Sequence, residues 1–177
     1  MQNVVIRAIE RLDFRTKEAY KTLRTNLSFA GKNVKVISLT SCTPNEGKTS
    51  VSFQLCLSLA ESGKQTILVD ADLRKSVLRG RYKANREKYG LSHYLSGQVE
   101  LDDACCRTNV NNFDIIFAGP VPPNPSELLG GDAFRNMLEV LRMKYDYVIV
   151  DTPPLGSVID AAIVGAICDG TVIVVES

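Results

Sequence analysis

The sequence predicts an open, doubly wound α/β domain with a mainly parallel sheet. Three observations predict it. Short β-branched apolar runs alternate with amphipathic stretches along the whole chain. The runs are continuously apolar, as strands covered on both faces are. Three of them end on polar chemistry. Val34–Thr40 precedes a glycine-lysine loop, Thr66–Val69 precedes Asp70-Ala71-Asp72, and Tyr147–Val150 precedes Asp151.

The totals allow one domain over 1–177. A chain of this size buries roughly 70% of its unfolded surface, enough for a core. It is 45% hydrophobic and 23% charged, with a formal net charge of +1. That balance points to neither nucleic acid nor a membrane surface. No apolar run reaches the ~18 residues of a membrane span. The opening MQNVVIRAIERLDF lacks the apolar centre of a signal peptide, so a cytoplasmic location is expected. The five cysteines have neither zinc nor redox spacing and are expected to be buried thiols.

In chain order, residues 1–12 give little signal. From Thr16, apolar residues at Ala19/Tyr20, Leu23, Leu27 and Phe29 keep helical spacing. Glu18, Lys21 and Arg24 share one face, either solvated or in contact with another subunit. Val34–Thr40 is a strand, Val51–Ser62 a helix closed by Gly63, and Thr66–Val69 a strand parallel to the first. Leu73 to Gly90 is basic, with Arg74, Lys75, Arg79, Arg81, Lys83, Arg86 and Lys88 against Glu87. Its place after a carboxylate pair favours a site-facing role, holding a phosphate or attracting an acidic segment. Gly90–Gly97 reads as a short helix, with His93 in a surface or capping role. Phe113–Ala118 is a strand. Gly119–Leu129 is a proline-stiffened loop running into one helix that Phe134–Lys144 completes, with Ser126 or Asn124 near its cap. Tyr147–Val150 is a strand, Val158–Ile167 a helix and Thr171–Val175 a last strand.

Ligands bind at the carboxyl edge of open α/β sheets, and the chemistry converges there. Thr43-Pro44-Asn45-Glu46-Gly47-Lys48-Thr49-Ser50 lies between a strand and a helix, as a phosphate-binding loop does. Its backbone amides would face an anion, Lys48 the terminal phosphates, and Thr49 a Mg²⁺ ion. Where the usual loop opens on glycine this one has Cys42, tolerable if that backbone needs no positive φ. Asp70, Asp72 and Asp151 complete the set: carboxylates for the metal, and one to orient or deprotonate an attacking hydroxyl. ATP and Mg²⁺ are the expected ligands, and the loop and carboxylates resemble those of P-loop NTPases of the deviant Walker subgroup.

On these residues the chain resembles the bacterial tyrosine kinases of capsule and exopolysaccharide systems. Glu18 to Asn26 is similar to that family's oligomerisation helix, expected over about 16–30, with Lys21 where arginine is usual. Thr40–Ser50 resembles its Walker A loop, which often lacks the first glycine; Asn45 stands where glycine is frequent. Ile67 to Arg74 is similar to its second Walker motif, with Ser76 in place of a frequent proline. PPNPSELL and the Tyr145–Pro154 stretch, its Walker B, complete the match. The resemblance implies Mg-ATP-dependent tyrosine autophosphorylation. It implies that Lys48 and the loop bind phosphates, and that Thr49, Asp72 and Asp151 hold the metal. It makes Asp70 the base, with the division between Asp70 and Asp72 open. It implies a membrane-embedded polysaccharide co-polymerase as activator, ring assembly through Glu18, Lys21 and Arg24, protein tyrosine substrates, and a place at the inner face of the membrane. The family's tyrosine tail has no counterpart, since the tyrosines are Tyr20, Tyr82, Tyr89, Tyr94, Tyr145 and Tyr147. A C-terminally truncated, weakly active chain is therefore expected, with apolar surface open beside its last strand. The alternatives are a partition- or division-type ATPase switch and a non-catalytic nucleotide-dependent ring scaffold. The first usually needs an early loop lysine, which Ser41–Pro44 lacks.

Overall fold

The computed structural model describes residues 1–85 and 87–176; Arg86 of the basic stretch, and Ser177, lie outside the described residues. A seven-stranded sheet is built from β1 (Gln2–Val4), β2 (Val36–Ser41), β3 (Thr66–Asp70), β4 (Cys106–Thr108), β5 (Phe113–Ile116), β6 (Tyr147–Asp151) and β7 (Gly170–Val174), in the order β1-β4-β5-β3-β6-β2-β7. All pairings are parallel except β4 with β5. The helices are α1 (Phe14–Phe29), α2 (Lys48–Glu61), α3 (Leu78–Arg81), α4 (Leu91–Leu95), α5 (Leu101–Ala104), α6 (Pro125–Gly130), α7 (Asp132–Lys144) and α8 (Asp160–Gly165).

Successive strand residues go to opposite faces, and both faces are covered. Val36, Ile67, Val69, Val148 and Val150 pack under α7, which buries Phe134, Met137, Leu138 and Leu141 as its periodicity predicts. Ile37, Leu39, Leu68 and Ile149 pack under α2 with Phe53 and Phe113. Phe53 stacks on Tyr82 at 3.6 Å between ring centroids and meets Phe113 edge-on at 5.3 Å. That stack ties the basic segment after β3 to α2. Tyr20, Leu23 and Leu27 lay α1 against the same layer, while Ala19 and Phe29 face solvent.

Strand β6 separates β2 from β3, so the two strands flanking α2 are parallel without touching. The register sets Asp151 level with Leu39 on one side and Asp70 on the other. The topology therefore gathers the glycine-lysine loop and the strand-end carboxylates at one edge.

The expected elements shift where local chemistry differs. Helix α2 starts at Lys48, ahead of Val51, because Gly47 at φ +81 turns the loop straight into the helix. PPNPSELL and Phe134–Lys144 belong to two helices, since Gly131 is extended at φ −80, ψ 166 and breaks the run. Strands β1 and β4 and helix α5 were not expected; each is too short to carry a period. Cys42 is exposed, against the expectation of buried thiols, because it opens the loop outside the strand. Ile173 and Val175 are exposed at the β7 edge.

Gly90 and Gly119 bring two chain segments into contact. A Cβ at Gly90 would lie 2.6 Å from Gly119 N and from Phe117 O. Gly90→Ala is expected to lower stability by about 1–3 kcal/mol through this overpacking, read as a lower urea midpoint at unchanged m-value.

Candidate active site

The loop after β2 is shaped by its own hydrogen bonds. Ser41 Oγ donates to Thr43 O at 2.8 Å, and Thr43 N donates to Glu46 Oε2 at 2.8 Å. That amide holds the Glu46 carboxyl below its ordinary pKa. Positive φ falls at Asn45 (69°) and Gly47 (81°), and Cys42 is not among the positive-φ residues. The missing first glycine therefore costs no backbone strain, and the Asn that replaces a frequent glycine occupies a conformation asparagine tolerates.

Lys48, Thr49 and Asp151 meet directly. Lys48 Nζ lies 3.0 Å from Asp151 Oδ1, and Thr49 Oγ1 donates to Asp151 Oδ2 at 2.7 Å. Ser52, one turn along α2, adds a bond to Oδ1 at 3.1 Å. Burial raises the Asp151 pKa; Lys48, Thr49 and Ser52 oppose that shift without cancelling it. Asp70 is 1% exposed and accepts from Ser76 Oγ and from Asp72 N. Its pKa is pushed up to about 8 by burial first and then by the charge of Asp151.

Asp72 turns its loop. Its Oδ1 accepts from Arg74 N at 3.3 Å and from Lys75 N at 3.0 Å. Arg74 then grips Asp160 with two nitrogens, Nε to Oδ2 at 2.8 Å and Nη2 to Oδ1 at 3.2 Å. Ser126 Oγ accepts from Arg74 Nη2 at 2.9 Å and donates to Asp160 Oδ1 at 2.6 Å. Burial lifts the Asp160 pKa, but Arg74 and Ser126 hold it below the usual carboxylate range. The loop after β3 is thus joined to the first turns of α6 and α8.

A cavity of about 430 Å³ lies over the loop, lined by Asn45, Gly47, Lys48, Thr49, Asp72 and Arg74 among others. Pro44 and Glu46 line it too, as do Lys75 and Arg81 of the basic stretch. Thr43 and Ser50 do not: the Thr43 amide is held by Glu46, and Ser50 Oγ accepts from Arg81. Asp70 lies behind the cavity wall. Glu18, Lys21 and Arg24 lie apart on α1. Glu18 pairs with Lys21 at 2.7 Å, while Arg24 reaches Ser58 O at 2.7 Å within the same chain. His93 caps its own helix, its Nδ1 accepting from Gly90 N at 3.1 Å.

Among the described residues no cluster of three His, Cys, Asp or Glu is placed to hold a metal alone. The available donors are oxygens: the Thr49 hydroxyl and the Asp151 and Asp72 carboxylates. That set fits Mg²⁺, which takes one or two carboxylates and completes its shell with phosphate oxygens and water. Ser52 and Asp160 were not singled out in the sequence, and Ser76 and Ser126 were noted only as a motif substitution and a helix cap. Ser52 could have been found, since its i+4 spacing from Lys48 puts both on one face of α2.

Fold and site together define a nucleotide-binding α/β domain of the P-loop class, and residues 34–177 match the family model described as "AAA domain". Within that class the chain belongs to the bacterial tyrosine-protein kinases. It is 45% identical over 163 residues to the tyrosine-protein kinase CpsD of Streptococcus agalactiae, covering 92% of this chain and 71% of that protein. It is similar in structure to the kinase domain of Escherichia coli tyrosine kinase ETK, with a TM-score of 0.85 at 37% identity over 94% of this chain and 69% of that one. The chimerical protein CapA2B2 superposes with a TM-score of 0.86 at 30% identity, over 98% and 79% of the two chains.

Two outcomes follow from this geometry. A carboxyl with a raised folded pKa binds its proton more tightly folded than unfolded, so its contribution is full at low pH and is lost as pH rises toward about 8. The melting temperature of the ligand-free protein should fall between about pH 5 and 8, and Asp70→Asn should flatten that slope; an unchanged slope contradicts the assignment. Arg74→Ala strands the buried Asp160 carboxylate. It should cost about 2 kcal/mol in urea unfolding, less than a fully buried pair because the Arg74 side chain is 37% exposed.

Proposed function

We propose that the protein transfers the γ-phosphoryl group of ATP to tyrosine hydroxyls, its own kind's included. The observation that carries the reading is the Lys48–Thr49–Asp151 contact beside a buried Asp70 whose pKa lies near neutrality. Membership of the tyrosine-kinase family supports it.

Pro44 to Thr49 cradle the phosphates, with the N-terminus of α2 behind them. Lys48 would pass from Asp151 to the terminal phosphate oxygens, and Thr49, Asp151 and Asp72 would hold Mg²⁺, which would neutralise phosphate charge. Asp70 accepts the tyrosine proton as the oxygen–phosphorus bond forms and the bond to ADP breaks. A base with a pKa near the working pH can both take and release that proton. Asp72 lines the phosphate cavity and so suits the metal, while the raised proton affinity of Asp70 suits a base.

The same reading carries the family's setting. A membrane-embedded polysaccharide co-polymerase acts as activator, and a ring forms through Glu18, Lys21 and Arg24. The protein works in the cytoplasm at the inner membrane face, where it regulates capsular or exopolysaccharide synthesis. The exposed Glu18 and Lys21 side chains support the ring, since both can exchange their mutual pair for a neighbour's. Among the described residues no helix is long and apolar enough to cross a membrane.

The test is incubation with labelled ATP, Mg²⁺ and a tyrosine-rich acceptor. Label on tyrosine supports the reading. Release of free phosphate alone points to an ATPase switch, and neither product points to a scaffold. Lys48→Met should lower transfer at least about 100-fold, the scale of losing one charge-stabilising donor. Undiminished transfer by that variant overturns the assignment of this loop.

A further inference from the structure

A second, larger cleft adjoins the phosphate-loop cavity and shares two of its walls, Val77 and Arg81. Its volume is about 840 Å³, within the range of ligand sites. Arg79 and Lys88 stand on its outer wall. Its floor is the glycine contact, Gly90 against Gly119, with His93 beside it. Ser76 is next in sequence to Val77 of the shared wall. It lines the larger cleft and donates to Asp70. Ser76 thereby links the wall of this cleft to the proposed base.

The charge of this cleft is one-sided. Arg79, Arg81 and Lys88 face it against a single acid, Glu87. The Arg79–Glu87 pair is loose, at 3.8 Å, and Glu87 Oε2 makes no hydrogen bond among the described residues. Arg81 uses Nη1 on Ser50 and keeps further donors. Lys88 rests over the Tyr89 ring, its nitrogen 4.9 Å from the centroid, with no acid paired to it among the described residues. These cations do not line up along a surface stripe, as a nucleic-acid track does; they ring a recess beside a base.

We propose that this cleft docks an acidic peptide segment flanking the acceptor tyrosine, held by Arg79, Arg81 and Lys88. The proposal rests on the tyrosine-kinase reading and names the substrate class for it. Arginine forks match carboxylates two bonds at a time. An acidic segment beside nucleotide phosphates needs cations between them, and Arg81 stands on the shared wall. Holding the flanks fixes the hydroxyl near Asp70, converting an encounter into an intramolecular step.

The test uses the 177-residue chain and fluorescein-labelled peptides of equal length. One carries glutamates on both sides of a tyrosine, the other glutamines, and a single-stranded oligonucleotide serves as competitor. By anisotropy at low salt the glutamate peptide should bind about tenfold tighter, the scale of one or two charge-assisted contacts. In the double variant Arg79→Gln, Lys88→Gln the advantage should shrink to about twofold or less, with nucleotide affinity unchanged and KM for the glutamate peptide raised more than kcat is lowered. Equal affinity for the two peptides overturns the proposal. So does an advantage that survives in the variant, or an oligonucleotide that competes as well as the glutamate peptide. Charge-selective binding without phosphate transfer leaves the docking cleft standing and removes the kinase reading. Equal transfer to both peptides does the reverse.

Discussion

One buried carboxylate organises this edge of the molecule. Asp151 ends the strand that lies between β2 and β3, where water cannot solvate it. A charge taken out of water must be met by donors. All three that meet it, Lys48, Thr49 and Ser52, come from the first turns of α2. The helix is thereby locked in rotation and height against β6, and the loop preceding it is drawn over the sheet edge. The same strand order sets Asp151 level with Asp70. Two carboxyls side by side in a dry setting cannot both ionise freely, so the proton affinity of Asp70 follows from sheet topology before any ligand arrives.

Much of this was legible in the sequence because it is written in short-range patterns. The central strands are unbroken apolar runs, and α7 shows its buried face by spacing alone. The loop announces itself by the order strand, glycine-lysine, helix. The positive-φ positions also sit where residue types allow them, at Asn45 and Gly47. The partners of Arg74 were not legible. Asp160 lies 86 positions away and Ser126 lies 52 away, and nothing local marks either as a partner. Ser76 reads as a substitution in a motif and becomes, once folded, the hydroxyl that touches Asp70. Strands β1 and β4 escaped notice because three residues cannot display a period. At Ser50, a motif position, the hydroxyl is taken by Arg81, a partner 31 positions away that nothing local marks.

The Arg74–Asp160–Ser126 network gives the edge its second fixed point. Asp151 holds the phosphate loop from below, while this network holds the Asp72 turn from the side. The two anchors use opposite chemistry. At Asp151 burial wins and the carboxyl gains proton affinity; at Asp160 burial is outweighed by Arg74 and Ser126 together and the carboxyl loses it. The site therefore combines a carboxylate held charged, for scaffolding, with buried carboxyls of raised proton affinity, for chemistry.

The contact between Gly90 and Gly119 has a consequence for how this surface can vary. The two positions come from segments far apart in the chain, yet the contact closes against main-chain atoms that cannot rotate away. A side chain at Gly90 runs into backbone, and one at Gly119, at φ +79, meets Ser92 as well as a forbidden conformation. The cleft floor is consequently frozen against single substitutions. Its outer wall is not, for Arg79 and Lys88 are exposed and contribute little to the core. Divergence in what this cleft accepts should accumulate on that wall, above a floor that keeps its shape.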